Sequence, residues 1–112
     1  MGHKTHVVLV TLLLAGCGQF GDAGKVRRLV ADEMKDPASA QFRGIALEAV
    51  PQDGGTTLYA CGEVNGRNSF GAYSGYQRFV VDLTHERVWF DPPAEASDYE
   101  RLAFDARYRL AC

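Results

Sequence analysis

The chain has 112 residues, with 12 basic and 14 acidic side chains and a formal net charge of −2. That length supports a single small domain. The slightly acidic balance offers no surface for tracking phosphates, which argues against nucleic acid as a partner.

The chain opens MGHKTHVVLVTLLLAGC, with Lys4 ahead of an apolar run from Val7 to Ala15 that ends in small residues. This is the pattern of a signal peptide over residues 1–16, and the run is too short for a stable transmembrane helix of about 20 residues. Leu14-Ala15-Gly16-Cys17 resembles the lipobox of bacterial lipoproteins. The resemblance implies that Cys17 is diacylated and becomes the first mature residue; the alternative is an ordinary secretory signal with a cysteine near its cleavage point. One acyl chain binds a membrane marginally, whereas two chains with a third on the new amine anchor durably. Gly18 stands where an Asp would matter for sorting, and the likeness to enterobacterial lipoproteins implies the outer membrane, facing the periplasm. The mature chain then keeps 96 of the 112 residues, and losing Lys4 leaves 11 basic against 14 acidic side chains.

Residues 17–21 form the lipidated cysteine and a tether reaching at most about 15 Å, and residues 22–112 form the domain. Asp22 is the expected N-cap of a helix over 23–35, with Val26, Leu29, Val30 and Met34 on one apolar stripe. Asp36-Pro37 ends it, because a residue before proline is pushed out of the helical region. Phe42 plugs the core after a short turn. A strand is expected over 43–50, where Ile45, Leu47 and Ala49 alternate with Ala46 and Glu48. Gln52-Asp-Gly-Gly55 is a turn. The second strand, 56–64, puts Leu58, Ala60 and Gly62 on one face and Tyr59, Cys61 and Glu63 on the other. A third strand over 76–83 sets Phe79 and Val81 against Val80, and a fourth begins at Arg87 after a Thr84-His85-Glu86 turn. Pro92-Pro93 breaks the sheet. Ser97-Asp-Tyr-Glu100 fits a capping box for a second helix to about Arg109, with Tyr99, Leu102, Ala103, Ala106 and Leu110 expected on its buried side. The order predicts an α+β domain: an N-terminal helix, a sheet of about four antiparallel strands and a C-terminal helix.

With Cys17 assigned to lipid, Cys61 and Cys112 remain, and in an oxidising periplasm two such cysteines most simply pair. Closing a loop of about 50 residues contributes roughly 4 kcal/mol in the chain-entropy account. A reactive or metal-binding thiol would need a neighbour, but no CxxC occurs and the mature chain keeps only His85.

Between the second and third strands runs NGRNSFGAYSGY, residues 65–76. Asn65-Gly66 alone signals a tight hairpin, yet strand-like residues resume only at Tyr76, and loops of about ten residues in small domains are often functional. Tyr73, Tyr76, Arg67, Asn65 and Asn68 are the candidate contact residues, since tyrosine, arginine and small polar groups favour protein-binding surfaces. The structural alternative has Asn65 and Asn68 capping the turn and the aromatics, Phe70 first, folding back over the core.

Asp36-Pro-x-Ser-Ala-x-Phe42 together with Cys61-Gly-x-Val-Asn-Gly-Arg-Asn-Ser-Phe-Gly-Ala-Tyr-Ser-Gly-Tyr76 resembles a set of small exported proteobacterial proteins. Those carry a DPxSAxF element followed by CGxVNAKNxFGGYxGxxxF. Gly66-Arg67 replace the usual Ala-Lys, and Ala72 replaces a Gly. The resemblance covers about residues 25–82 and implies a shared domain with no defined activity.

Catalysis would require a nucleophile and base, paired carboxylates or metal ligands. His85 sits in a turn, Ser69 and Ser74 lack a GxSxG context, and scattered carboxylates show no metal spacing. Glu48 and Glu63 could face each other across two strands as a carboxylate pair, or pair with Arg43 and Arg78. No cofactor, metal or catalytic residue is assigned. The reading is a lipid-anchored periplasmic domain that binds an envelope or periplasmic protein through residues 65–76. It takes one of two forms, an inhibitor or immunity-type lipoprotein or an accessory lipoprotein of a secretion machine. An enzyme acting on cell-wall material is the alternative class.

Overall fold

A computed structural model describes residues 21–112. Residues 1–20, which hold the expected leader, Cys17 and most of the expected tether, lie outside the described residues. Residues 21–32 are helical (α1), and Pro37–Ser39 form one 3-10 turn. Strands β1 (Gln41–Gln52), β2 (Gly55–Asn65), β3 (Gln77–Asp82) and β4 (Arg87–Phe90) follow, then α2 (Asp98–Ala111). The strands pair antiparallel in chain order, so the fold is α+β with a four-stranded antiparallel sheet.

The helix α1 differs at both ends from the sequence expectation. Residue 21 is already helical, so Asp22 lies within the helix rather than capping it. At the other end, Glu33 and Met34 donate to the carbonyls of Val30 and Ala31, only three residues back. Such bonds tighten and close a final turn, and Met34 and Lys35 then belong to the bend that leads into Asp36-Pro37.

Period-two alternation splits the sheet into two faces. On one, Ala60 and Val64 of β2 and Phe79 and Val81 of β3 bury against Val26 and Val30 of α1, with Leu58 and Phe42 packed alongside. The Phe42 ring meets Phe79 edge-on, centroids 6.0 Å apart. On the other face, Tyr59, Cys61 and Val80 bury against Phe104 and Ala111 of α2. The two helices therefore cover opposite faces of one sheet. Gly62 is required by this packing: a Cβ there would stand 2.9 Å from the buried Phe79 ring and 3.3 Å from the Arg43 carbonyl. The β1–β2 turn has Asp53 and Gly54 both at positive φ, 51° and 79°, the conformation that a two-residue hairpin with matching twist demands.

The second helix begins as predicted, with Ser97 Oγ accepting from the Glu100 N–H at 3.2 Å. Among the described residues Glu100 makes no return hydrogen bond, so half of the capping box is formed. Its buried face is the reverse of the expected one. Phe104 and Ala111 face the sheet, with Tyr108 packed against them, whereas Tyr99 (80 % exposed), Leu102 (65 %) and Leu110 (41 %) face outward. The anchor responsible is covalent: Cys61 and Cys112 form a disulfide with their Cα atoms 6.1 Å apart, within the ordinary span for such a bridge. It fixes which side of α2 meets β2. Among the described residues no helix is long and apolar enough to cross a membrane.

The direction of α1 positions the loop. Lys25 donates to the Leu83 carbonyl at 3.3 Å and pairs with Glu86 at 3.2 Å, beside the β3–β4 turn. Lys35, at the far end, reaches Ser69 in the β2–β3 connection. The chain thus enters the domain at one pole and presents residues 66–76 at the other.

Candidate functional site

The β2–β3 connection is a closed, braced loop. Arg67 and Tyr73 pair as a single antiparallel bridge. Above them Asn68 organises the tip: its N–H donates to the Ala72 carbonyl at 2.8 Å and its carbonyl accepts from the Gly71 N–H at 3.0 Å. Its side-chain Oδ1 accepts from the N–H groups of Phe70 (2.9 Å) and Ala72 (3.2 Å). An asparagine can hold a turn this way because its side chain mimics a backbone carbonyl. Gly71 and Gly75 take positive φ, 80° and 101°, where a Cβ would be strained. At the base, Asn65 Oδ1 accepts from the Gly75 N–H at 3.1 Å.

The floor of the loop is the 3-10 turn after α1. Buried Ser39 donates through Oγ to the Asp36 carbonyl (2.7 Å) and accepts from the Arg67 N–H (2.9 Å). Its own carbonyl accepts from Tyr73 Oη at 3.2 Å. Asp36 pairs with the Arg67 guanidinium at 3.3 Å. Gly66 passes so close to Met34 that a Cβ there would overlap the Met34 Cε. The two short motifs of the sequence, Asp36–Phe42 and Cys61–Tyr76, are therefore two halves of one construction.

Of the candidate contact residues, Asn65 and Asn68 spend side-chain oxygens on the loop itself, and Arg67 and Tyr73 spend polar groups on the turn beneath it. Tyr76 lies beneath the Arg43 guanidinium, 3.7 Å from its ring centroid; Arg43 also grips Glu63 through two hydrogen bonds, 3.1 and 3.2 Å. That bond to Glu63 raises the Arg43 pKa further above an already high value. Tyr73 and Tyr76 keep 45 % and 37 % of their surface exposed. Phe70, expected to fold back over the core, does the opposite: it is 94 % exposed at the tip. The turn set by Asn68 points it away from the sheet. Beside the loop base lies a recess of about 290 Å³ between Met34, Lys35, Arg67 and Phe90.

The carboxylates considered as a pair are not brought together. Glu48 lies opposite Tyr59 and Glu63 opposite Arg43, so the two glutamates do not face each other. Arg78 bonds Asp91 (2.9 Å) and Asp105 (3.0 Å) rather than Glu63. His85 Nδ1 lies 2.7 Å from Asp82 Oδ2, but this pair is at the opposite pole from the loop, in the β3–β4 turn. Among the described residues no three of His, Cys, Asp and Glu cluster to hold a metal ion. No family model matches the chain, and no curated protein or solved structure matches it. What the loop can do therefore rests on its own geometry.

Proposed function

We propose that this protein is a lipid-anchored periplasmic binding domain, held at the membrane through Cys17, that grips a periplasmic or envelope protein with residues 65–76. The observation that carries the reading is Phe70. A phenylalanine almost wholly in water at the tip of a loop that is braced from below contributes nothing to this fold, whereas an aromatic entering a partner's pocket is a typical binding hot spot. The internal hydrogen bonds of Asn68, Ser39 and Tyr73 hold the loop in one shape before contact, which lowers the ordering cost of association. A protruding, pre-shaped tip fits a concave receiver, so an inhibitor or immunity-type role, with Phe70 inserted into another protein's cleft, is the form favoured here.

The test is crosslinking and affinity purification of the chain from its own membranes, beside a Phe70→Ala variant. The expected outcome is one recovered partner, at least about tenfold depleted with the variant, while the variant melts as the parent does. Equal recovery by both proteins would place the binding surface elsewhere. Hydrophobic mass on Cys17, read by mass spectrometry, tests the anchor separately.

A further inference from the structure

Two apolar faces share the helix α2; the sheet takes one and borders the edge of the other, where Ala103, Ala106 and Leu110 line a recess with Gln52 and Tyr59. The other carries Tyr99, Leu102, Ala103, Ala106 and Leu110, a single stripe at helical spacing. Its three large members are exposed, as described above. The stripe runs most of a helix about 21 Å long.

The charges beside this stripe are ordered. Asp98 and Arg109 lie eleven residues apart on one flank, and Glu100 and Arg107 lie seven apart on the other. On each flank the acid sits toward the N-terminus and the base toward the C-terminus. Among the described residues none of the four has a salt-bridge partner, and Arg107 rests its guanidinium 4.0 Å from the Trp89 ring centroid without donating a hydrogen bond. Turned antiparallel upon itself, the stripe brings Asp98 opposite Arg109 of the other copy and Glu100 opposite Arg107. Both pairings require the same two-fold axis, level with residues 103 and 104. That axis also sets Leu102 against Ala106 of the other copy and brings the small Ala103 side chains together at the centre, where close helix approach is easiest. The helix dipoles oppose favourably in this arrangement.

From this pattern we propose that α2 is a self-association surface, docking antiparallel on the α2 of a second copy of this chain and leaving both 66–76 loops free. The test is a charge-swap pair measured by light scattering on the full chain, purified in a non-ionic detergent whose mass is subtracted. One variant carries Asp98→Arg and Glu100→Arg, and so has four bases along the stripe. The other carries Arg107→Glu and Arg109→Glu, and so has four acids. Wild type is expected at twice the chain mass. Each variant alone is expected to associate at least about tenfold more weakly, and an equal mixture of the two to recover the doubled mass. Leu102→Glu, at a position 65 % exposed, is expected to give single chains with an unchanged melting temperature. The proposal is overturned if wild type stays at single-chain mass up to about 1 mM. It is equally overturned if both swaps dimerise like wild type, if the mixture stays monomeric, or if single chains bind phosphatidylglycerol vesicles through the stripe instead.

Discussion

Ser39 is the residue on which the loop depends. It is buried, and its side chain links a turn after α1 to the amide of Arg67, 28 residues later. Replacing it with alanine leaves that N–H without its protein partner in a part-buried place, a loss of about 1 kcal/mol. Ser39→Ala is therefore expected to lower the urea midpoint and to speed hydrogen exchange at the Arg67 amide ahead of the sheet amides. Exchange unchanged at Arg67 would mean that the loop is held by other contacts. The sequence made Ser39 visible only as part of a motif; that it lies beneath the loop is a tertiary fact, since nothing local connects residue 39 to residue 67. Phe70 was misread for a related reason. Burial is the ordinary fate of phenylalanine, and only the turn built by Asn68 reveals that this one points outward.

At the level of elements, the strands were the most legible part. Alternation along 43–50, 56–64 and 76–83 gave the faces correctly, and the observed strands extend or trim these by a residue or two. Gly62 was placed on the right face, yet its reason needed the structure. Gly62→Ala presses on a fully buried Phe79 ring and on backbone, and overpacking of that kind costs about 1–3 kcal/mol. Gly66→Ala meets chiefly the terminal methyl of Met34, the free end of a flexible side chain. Urea titration is expected to show a clear loss for Gly62→Ala and much less for Gly66→Ala; the reverse order would contradict the packing described. The helix α2 was read the wrong way round because it has two apolar faces. Five residues of the outer stripe outnumber Phe104, Tyr108 and Ala111, and periodicity cannot say which face the fold selects. The Cys61–Cys112 link, anticipated from the cysteine count, held that information without its geometry.

For the whole molecule, two clamps join α2 to the sheet. One is the disulfide, spanning 51 residues. The other is Arg78, bonded to Asp91 beyond β4 and to Asp105 on α2, with its guanidinium 4.8 Å from the Tyr108 ring centroid. The bond to Asp91, then that to Asp105, raises the Arg78 pKa above its usual value. A base raised on folding stabilises fully below its unfolded pKa and loses that contribution only as pH climbs through the folded one, so Arg78 stays charged across all ordinary pH. The double change Cys61→Ala with Cys112→Ala is expected to cost up to about 4 kcal/mol, read as a lower urea midpoint, with amide exchange rising first near Ala111. An unchanged midpoint would show that Arg78 and Phe104 suffice. The opposition of the two poles has a mechanical side. A pull between the start of α1 and the tip at Phe70 is carried lengthwise by the helix, through the Asp36–Ser39 turn, and across to Arg67. That route bypasses the β-ladder, so under load the Ser39–Arg67 and Asp36–Arg67 contacts part first.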